Sequence, residues 1–254
     1  MPDGDASQPG TALPDLGPEV YARWRASELG ALTERIERKL VLDLVGDAGG
    51  RSILDLGCGD GDLAIALCRR GARVAGLDAS PAMIAAASAR AHREHADAVF
   101  EVGTAAALPF PAEQFDMVVA VTILCFVADA GPVFREIARV LRPGGRLVIC
   151  ELGKWSTWAA ERRVRAWLGS RLWRRGYFRT PRALRRLSRQ AGLRPGPVRG
   201  AIYYPRWTVL ARLLAPHDAT FSRWSTFGAA FLGLTATKPG SLAGPGDDPS
   251  GESA

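Results

Sequence analysis

Residues 53–63 read Ile53-Leu54-Asp55-Leu56-Gly57-Cys58-Gly59-Asp60-Gly61-Asp62-Leu63, a short apolar run feeding three alternating glycines and then a helix-like stretch. A strand that enters a glycine turn and opens a helix suits a nucleotide-type cofactor, because glycine permits positive φ and lets a ligand approach the backbone. The spacing is G-x-G-x-G and not the G-x-G-x-x-G of dinucleotide binders, since position 62 is Asp. Charge points the same way. A pyrophosphate at this helix start would meet Asp55, Asp60 and Asp62 and be repelled, whereas a ligand carrying an ammonium and a sulfonium tolerates or favours them. The loop therefore suits S-adenosylmethionine better than NAD. The next apolar run ends Gly76-Leu77-Asp78, 17 residues after Gly61. An acid at a strand's carboxyl end can accept hydrogen bonds from both ribose hydroxyls. NAD enzymes use an acid there too, so Asp78 alone does not discriminate.

Such a loop needs a scaffold, and the surrounding pattern supplies one. From Arg51 short apolar runs alternate with helix-like stretches: 51–57, 62–70, 73–78, 81–95, then 98–103, 115–121, 131–141 and 146–153. Repeated βα units of this kind form a parallel sheet with right-handed crossovers. The expected fold is α/β, a Rossmann-like doubly wound, mostly parallel seven-stranded sheet with helices on both faces. Arg142-Pro143-Gly144-Gly145 reads as the turn from a helix into the fifth strand. Leu29, Leu32, Ile36, Leu40 and Leu44 step by three or four, which marks an amphipathic helical lead-in. Pro181 to Gln190 reads as a helix with Gly192 just past its end. Residues 201–204 and 229–237 read as the last two strands, with a helical insertion at 207–214 between them.

The chain divides into a Pro/Gly/Asp-rich tail at 1–18, one domain at 19–237, and a second tail at 238–254. Within the domain, 19–46 is the lead-in, 51–152 the cofactor-binding core, and 154–215 a basic, Trp-rich cap with C-terminal elements. With 254 residues, 47% hydrophobic and 23% charged, the composition excludes a disordered or collagen-like body. The longest strongly apolar stretch, 118–127, is far short of the roughly 20 residues that cross a bilayer. The N-terminus has neither a basic nor an apolar signal region, which points to a cytoplasmic protein. Cys58, Cys68, Cys125 and Cys150 show neither disulfide nor zinc spacing, and no metal is expected. His92 and His95 read as a solvated helix face. The net charge of +7 is concentrated: residues 154–194 hold 13 Lys or Arg against Glu161, a net of +12, while the remainder has 20 bases and 25 acids.

In this order, DLGCGDG (55–61), GLDAS (76–80) with Pro81-Ala82-Met83 after it, GTAAALPFPAEQFDMVVA (103–120) and REIARVLRPGGRLVI (135–149) resemble a class I S-adenosylmethionine-dependent methyltransferase. More narrowly they are similar to the type-11 methyltransferase domain, the group that includes quinone-ring methylases. The resemblance covers about residues 51–152. It implies that Asp55 and Gly57 lie against the methionine moiety, with Cys58 as a small loop residue and Gly59 allowing close approach. It further implies that Asp78 holds the ribose, that Ala79 and Met83 line the adenine pocket, and that Val121 closes the fourth strand beside the cofactor. The family commonly has G-D-A after the third strand, its Asp bonding the adenine amino group. Here Gly103-Thr104-Ala105 stands instead. The neutral Thr104 hydroxyl is weaker by roughly 1–2 kcal/mol, so binding should survive. In related type-11 proteins the lead-in closes over the cofactor, which adds Tyr21 and Trp24 to the site. An aromatic near a sulfonium contributes about 0.5–2 kcal/mol, and plain packing of these rings on the sheet is the equal alternative.

Methyl transfer from a sulfonium is an in-line displacement in which alignment can carry much of the rate. After the fourth strand the chain reads Thr122-Ile123-Leu124-Cys125-Phe126, without the N-P-P-Y or D-P-P-Y of amino-group methylases. An acceptor pocket at these strand ends should be largely apolar. Glu151, Tyr203, Tyr204 and His217 are the available acid/base groups, and none is assigned a catalytic role. Three readings of partners remain open. The first is a small, apolar or lipid-like acceptor under a Trp/Arg cap that touches anionic membrane surfaces. The second is RNA, with the basic segment on its phosphates. The third is a non-catalytic binding module, against which the intact glycine loop argues. A solvated helical face is the plain alternative for the basic segment.

Overall fold

The computed structural model describes residues 18–174 and 176–240. Most of the two expected tails, 1–17 and 241–254, lies outside them. Seven strands form one sheet: Ser52–Leu56 (β1), Arg73–Asp78 (β2), Ala98–Val102 (β3), Phe115–Val121 (β4), Leu141–Leu152 (β5), Arg194–Ala201 (β6) and Phe231–Thr237 (β7). Their spatial order is β3-β2-β1-β4-β5-β7-β6. The first five pair in parallel, and β7 runs antiparallel between β5 and β6. This is the expected doubly wound α/β sheet.

Central strands covered on both sides must be apolar on both sides, and β1 and β4 are. On one face Ile53, Met117, Val119 and Val148 meet Leu40, Val41 and Leu44 of Glu28–Val45 (α2) and Ala64 and Leu67 of Asp62–Cys68 (α3). On the other face Leu54, Leu56, Val118, Leu147 and Ile149 meet Val133, Phe134 and Ile137 of Gly131–Val140 (α5) and Leu184 of Pro181–Gln190 (α8). Pro81–Arg93 (α4) connects β2 to β3, whereas 103–114, between β3 and β4, holds no helix. A cavity of about 670 Å³ at that edge is lined by Arg69, Val99, Glu101 and Phe110, and no glycine-loop residue lines it.

The structure departs from the sequence pattern in three places. The lead-in is two helices, Pro18–Ala26 (α1) and α2, because Ser27 caps the second. Its Oγ accepts from Gly30 N (3.1 Å) and donates to Trp24 O (2.7 Å). The sixth strand lies at 194–201 and not at 201–204. Pro195 and Pro197 are tolerated there because β6 is an edge strand with a register shift between Pro195 and Val198. Ile202, at φ 63°, then turns the chain so that Tyr204 is buried beneath α2, its hydroxyl 3.2 Å from Thr33 Oγ1. Arg142 to Gly145 lies within the span of β5, where the pairing with β4 shifts register between Phe115 and Met117.

Phe134 is 1% exposed at the centre of the α5 interface. Phe134→Ala should lower stability by about 3–5 kcal/mol, read as a fall in the urea midpoint. A change near zero would mean that α5 does not pack as described.

Candidate functional site

The loop between β1 and α3 is built on β2. Gly57 N and Cys58 N both donate to Leu77 O (2.7 and 3.1 Å), and Gly59 N donates to Asp78 Oδ2 (3.0 Å). The other Asp78 oxygen accepts from Ser80 N (2.8 Å), so this carboxylate ties the glycine loop to the start of α4. Each glycine has a different reason to be there. A Cβ at Gly57 (φ 74°) would stand 2.1 Å from Ile123 Cγ2, and one at Gly61 would stand 2.9 Å from Ala87 Cβ. At Gly59 (φ 54°) a Cβ would meet nothing within 4 Å. Gly57 and Gly61 thus serve the protein's own packing, and Gly59 is the position that leaves space open.

Asp55, at the carboxyl end of β1, is 2% exposed and its Oδ2 has no partner among the described residues. Burial, then the nearby Asp78 charge, pushes its carboxyl up to about 7, partly offset by the Ala64 N–H. Asp60 and Asp62 differ. Arg25 of α1 pairs with Asp60, Arg38 of α2 pairs with Asp62, and Arg90 of α4 reaches both at 3.3 Å. The repulsion expected of all three acids therefore rests on Asp55 with Asp78 beside it, because Asp60 and Asp62 are neutralised by arginines 24 to 35 residues away in sequence. The same Arg25 pair draws α1 over the loop.

The remaining expected residues gather around this centre to different degrees. Ala79 is exposed and Met83 half-buried on the turn into α4. Thr104 is exposed and its Oγ1 accepts from Ala106 N (3.4 Å), while Ala105 is half-buried beside it. Gly103 N donates to Asp78 O (2.9 Å), which keeps this segment at the end of β2. Val121 ends β4, next to β1. Cys58 is buried, with its thiol pushed up by burial. Tyr21 is exposed under the Arg25 guanidinium, 4.8 Å from its ring, whereas Trp24 packs edge-on against Trp158 at 6.1 Å.

Thr122, at φ 53°, is a β-branched residue in the left-handed region, and no sequence signal marks it. The turn it makes lays Ile123 on Gly57 and leads into the 3₁₀ turn Leu124–Phe126. Leu124 N donates to Glu151 Oε1 (2.7 Å), while Oε2 has no partner among the described residues. Burial pushes Glu151 up to about 8, against the pull of backbone N–H groups and Arg179. The segment after β5 crosses this turn: Tyr177 N donates to Cys125 O (2.8 Å), Arg179 N to Leu152 O (2.9 Å), and the Arg179 guanidinium to Val127 O (2.8 Å). It includes Thr157–Trp167 (α6) and Arg171–Arg174 (α7). Of the other acid/base candidates, Tyr203 is spent on Ser225 O, Tyr204 faces Thr33, and His217 is exposed.

A family model described as a methyltransferase domain matches residues 54–149. A ubiquinone biosynthesis O-methyltransferase of Dinoroseobacter shibae is 33% identical over 183 residues, covering 68% of this chain and 73% of that protein. A demethylmenaquinone methyltransferase of Thermus thermophilus is 40% identical over 116 residues, 45% of this chain and 53% of the relative. Among solved structures, a SAM-dependent methyltransferase of Thermotoga maritima, described as a possible histamine N-methyltransferase, matches with a TM-score of 0.66 at 22% identity. That match covers 87% of this chain and 95% of the other.

Asp55 has a pH signature. Its folded carboxyl titrates at about 7 against an ordinary 3.8, so the fold loses stability as pH rises through that interval and carries a buried charge above it. Asp55→Asn removes the titration. Its melting temperature relative to the unaltered chain, both ligand-free, should rise by about 2–4 °C or more between about pH 5 and pH 8. A difference that stays flat with pH would mean that Asp55 is not buried in ionisable form.

Proposed function

Because the chain belongs to the class I S-adenosylmethionine-dependent methyltransferases, we propose that it transfers methyl to a small, lipid-like acceptor of the quinone type by in-line displacement. The observation that carries this reading is the cap. The segment after β5 is hydrogen-bonded across the apolar turn that follows β4, through Tyr177 and Arg179. It thereby roofs the strand ends at which such folds bind ligands. The quinone-related activities of the two relatives support the same class of acceptor.

The residues present fit the cofactor. Asp55 offers an unpartnered buried carboxyl oxygen to an ammonium, Asp78 keeps lone pairs for a ribose diol, and Gly59 leaves the space a ligand needs. Ala79 and Met83, on the turn into α4, and Thr104 and Ala105, held at the end of β2 through Gly103, would line the adenine side. S-adenosylmethionine supplies an electrophilic methyl carbon on a sulfonium. The chain's part is to align and to exclude water: Ile123 and Leu124 set the acceptor side of the loop, and Glu151 holds that turn by its bond to Leu124 N. Alignment alone can supply effective molarities of roughly 10⁵ M or more, so an acceptor that ionises readily needs no dedicated base. Tyr21 and Trp24, on the helix that Arg25 latches to Asp60, close the site from above.

Contact with an anionic membrane surface belongs to the same proposal. Trp167 and Leu168, in the arginine-rich segment after β5, are exposed, and Trp207, Trp224 and Phe227 are exposed further along the chain. Trp and Arg side chains favour the headgroup boundary. Among the described residues no helix is long and apolar enough to cross a membrane.

Two measurements test this. Gly59→Ala adds a methyl group in open space at positive φ, so it should lower stability by only about 1 kcal/mol while weakening S-adenosylmethionine binding at least tenfold by calorimetry. Undiminished affinity would move the cofactor elsewhere. Incubation of the enzyme and labelled cofactor with separate lipid, RNA and protein fractions of a source extract should label the organic-soluble fraction. Label in RNA alone would make the basic segment a nucleic-acid platform.

A further inference from the structure

The cap's arginines are not equivalent. Arg165 pairs with Glu161 at 2.9 Å and Arg206 with the same carboxylate at 3.3 Å. Arg163 donates to Lys154 O, and Arg179 to the Leu124 and Val127 carbonyls. The Nε atoms of Arg162, Arg179 and Arg206 are all buried without a partner, and Arg162 differs from the other two in making no ion pair or hydrogen bond through its remaining nitrogens among the described residues. Its guanidinium lies between two indoles, 5.4 Å from the Trp158 ring and 4.5 Å from the Trp173 ring. The charged and titratable groups that face it are Glu37 of α2, Arg206, Glu161 of its own helix, and Cys125 of the turn after β4. Glu37 stays beyond ion-pair distance, and burial pushes its carboxyl up to about 7. Burial draws Arg162 down to about 10, which leaves it cationic at neutral pH.

The location is specific. Cys125, which Arg162 faces, belongs to the same turn as Ile123, which packs on Gly57, so Arg162 lies toward the turn after β4 that meets the glycine loop. We propose that Arg162 is the acceptor's anion receptor, taking a compact oxyanion, carboxylate or phosphate, carried by the molecule that is methylated. The inference rests on the methyltransferase reading above and adds an ionic group to the lipid-like acceptor. A half-buried guanidinium whose Nε lacks a partner gains when an anion arrives. A guanidinium stacked between aromatic faces keeps its in-plane N–H groups free, and that planar fork matches a carboxylate or phosphate bidentately. The two indoles hold the cation in place.

The test uses the full chain saturated with S-adenosylhomocysteine, titrated calorimetrically with benzoate, phenyl phosphate and neutral benzamide. One of the two anions should bind at a single site at least tenfold more tightly than benzamide, and which one does so distinguishes carboxylate from phosphate. In Arg162→Met the anion affinity should fall at least tenfold, S-adenosylhomocysteine affinity should stay within twofold, and the melting temperature should hold or rise, since a half-buried unpaired charge has been removed. Equal binding of benzamide by the unaltered chain would overturn the proposal without recourse to any variant. So would a melting temperature lowered by several degrees, which would make Arg162 a structural cation paired with Glu37. A parallel loss of S-adenosylhomocysteine affinity would assign Arg162 to the cofactor. Failure of S-adenosylhomocysteine to bind at all would sink the underlying reading, whereas anion failure with the cofactor product bound sinks only this inference.

Discussion

β1 and β4 are parallel neighbours whose following helices leave on opposite faces of the sheet, α3 on one and α5 on the other. The loops that begin those helices must therefore diverge, and a crevice opens between them at the strands' carboxyl ends. Two loops form its lips. The glycine loop at 57–61 forms one, and the turn at 122–126 forms the other. They touch where Ile123 occupies the volume a side chain at Gly57 would need. That contact ties the two lips together, and Thr122, at positive φ, precedes the residue that makes it.

What was legible in the sequence is what local pattern and backbone stereochemistry control. The alternation of apolar runs with helical stretches reports the parallel sheet, and the glycines after β1 report the ligand side, because both signals are short-range. The sixth strand was misplaced because Pro195, Gly196 and Pro197 argue locally against a strand, while an edge position with a bulge accepts them. Thr122 gave no sign, since positive φ at a β-branched residue is imposed by tertiary contacts. The pairing of Asp60 and Asp62 with Arg25, Arg38 and Arg90 was also invisible, because it joins three helices that only the fold brings together. Composition marks the basic segment, yet it could not separate its arginines into paired and unpaired sets.

That separation changes the meaning of the basic segment. Net charge is a property of sequence, but recognition depends on which cations remain unneutralised and where they point. Arg163 and Arg179 act on carbonyl oxygens and so hold the cap to itself and to the turn after β4. Arg165 and Arg206 share Glu161. These four stitch the roof together. Lone arginines on exposed faces remain available to an anionic surface, and Arg162 remains available to the interior.

The distribution of unpaired groups carries the final step. Around the glycine loop the fold goes to some length to neutralise charge, spending three arginines from three helices on Asp60 and Asp62. Among the described residues one oxygen of Asp55 is nevertheless left unpartnered, as are one oxygen of Glu151 and the Nε of Arg162. A chain selected for stability alone would have paired these or replaced them with apolar side chains. Gln114 Oε1 and the Nε atoms of Arg179 and Arg206 are left in the same condition among the described residues. On the proposed reading, a ligand with a positive group would complete Asp55 and one with a negative group would complete Arg162, whereas the Nε atoms of Arg179 and Arg206 belong to guanidiniums already engaged through their other nitrogens.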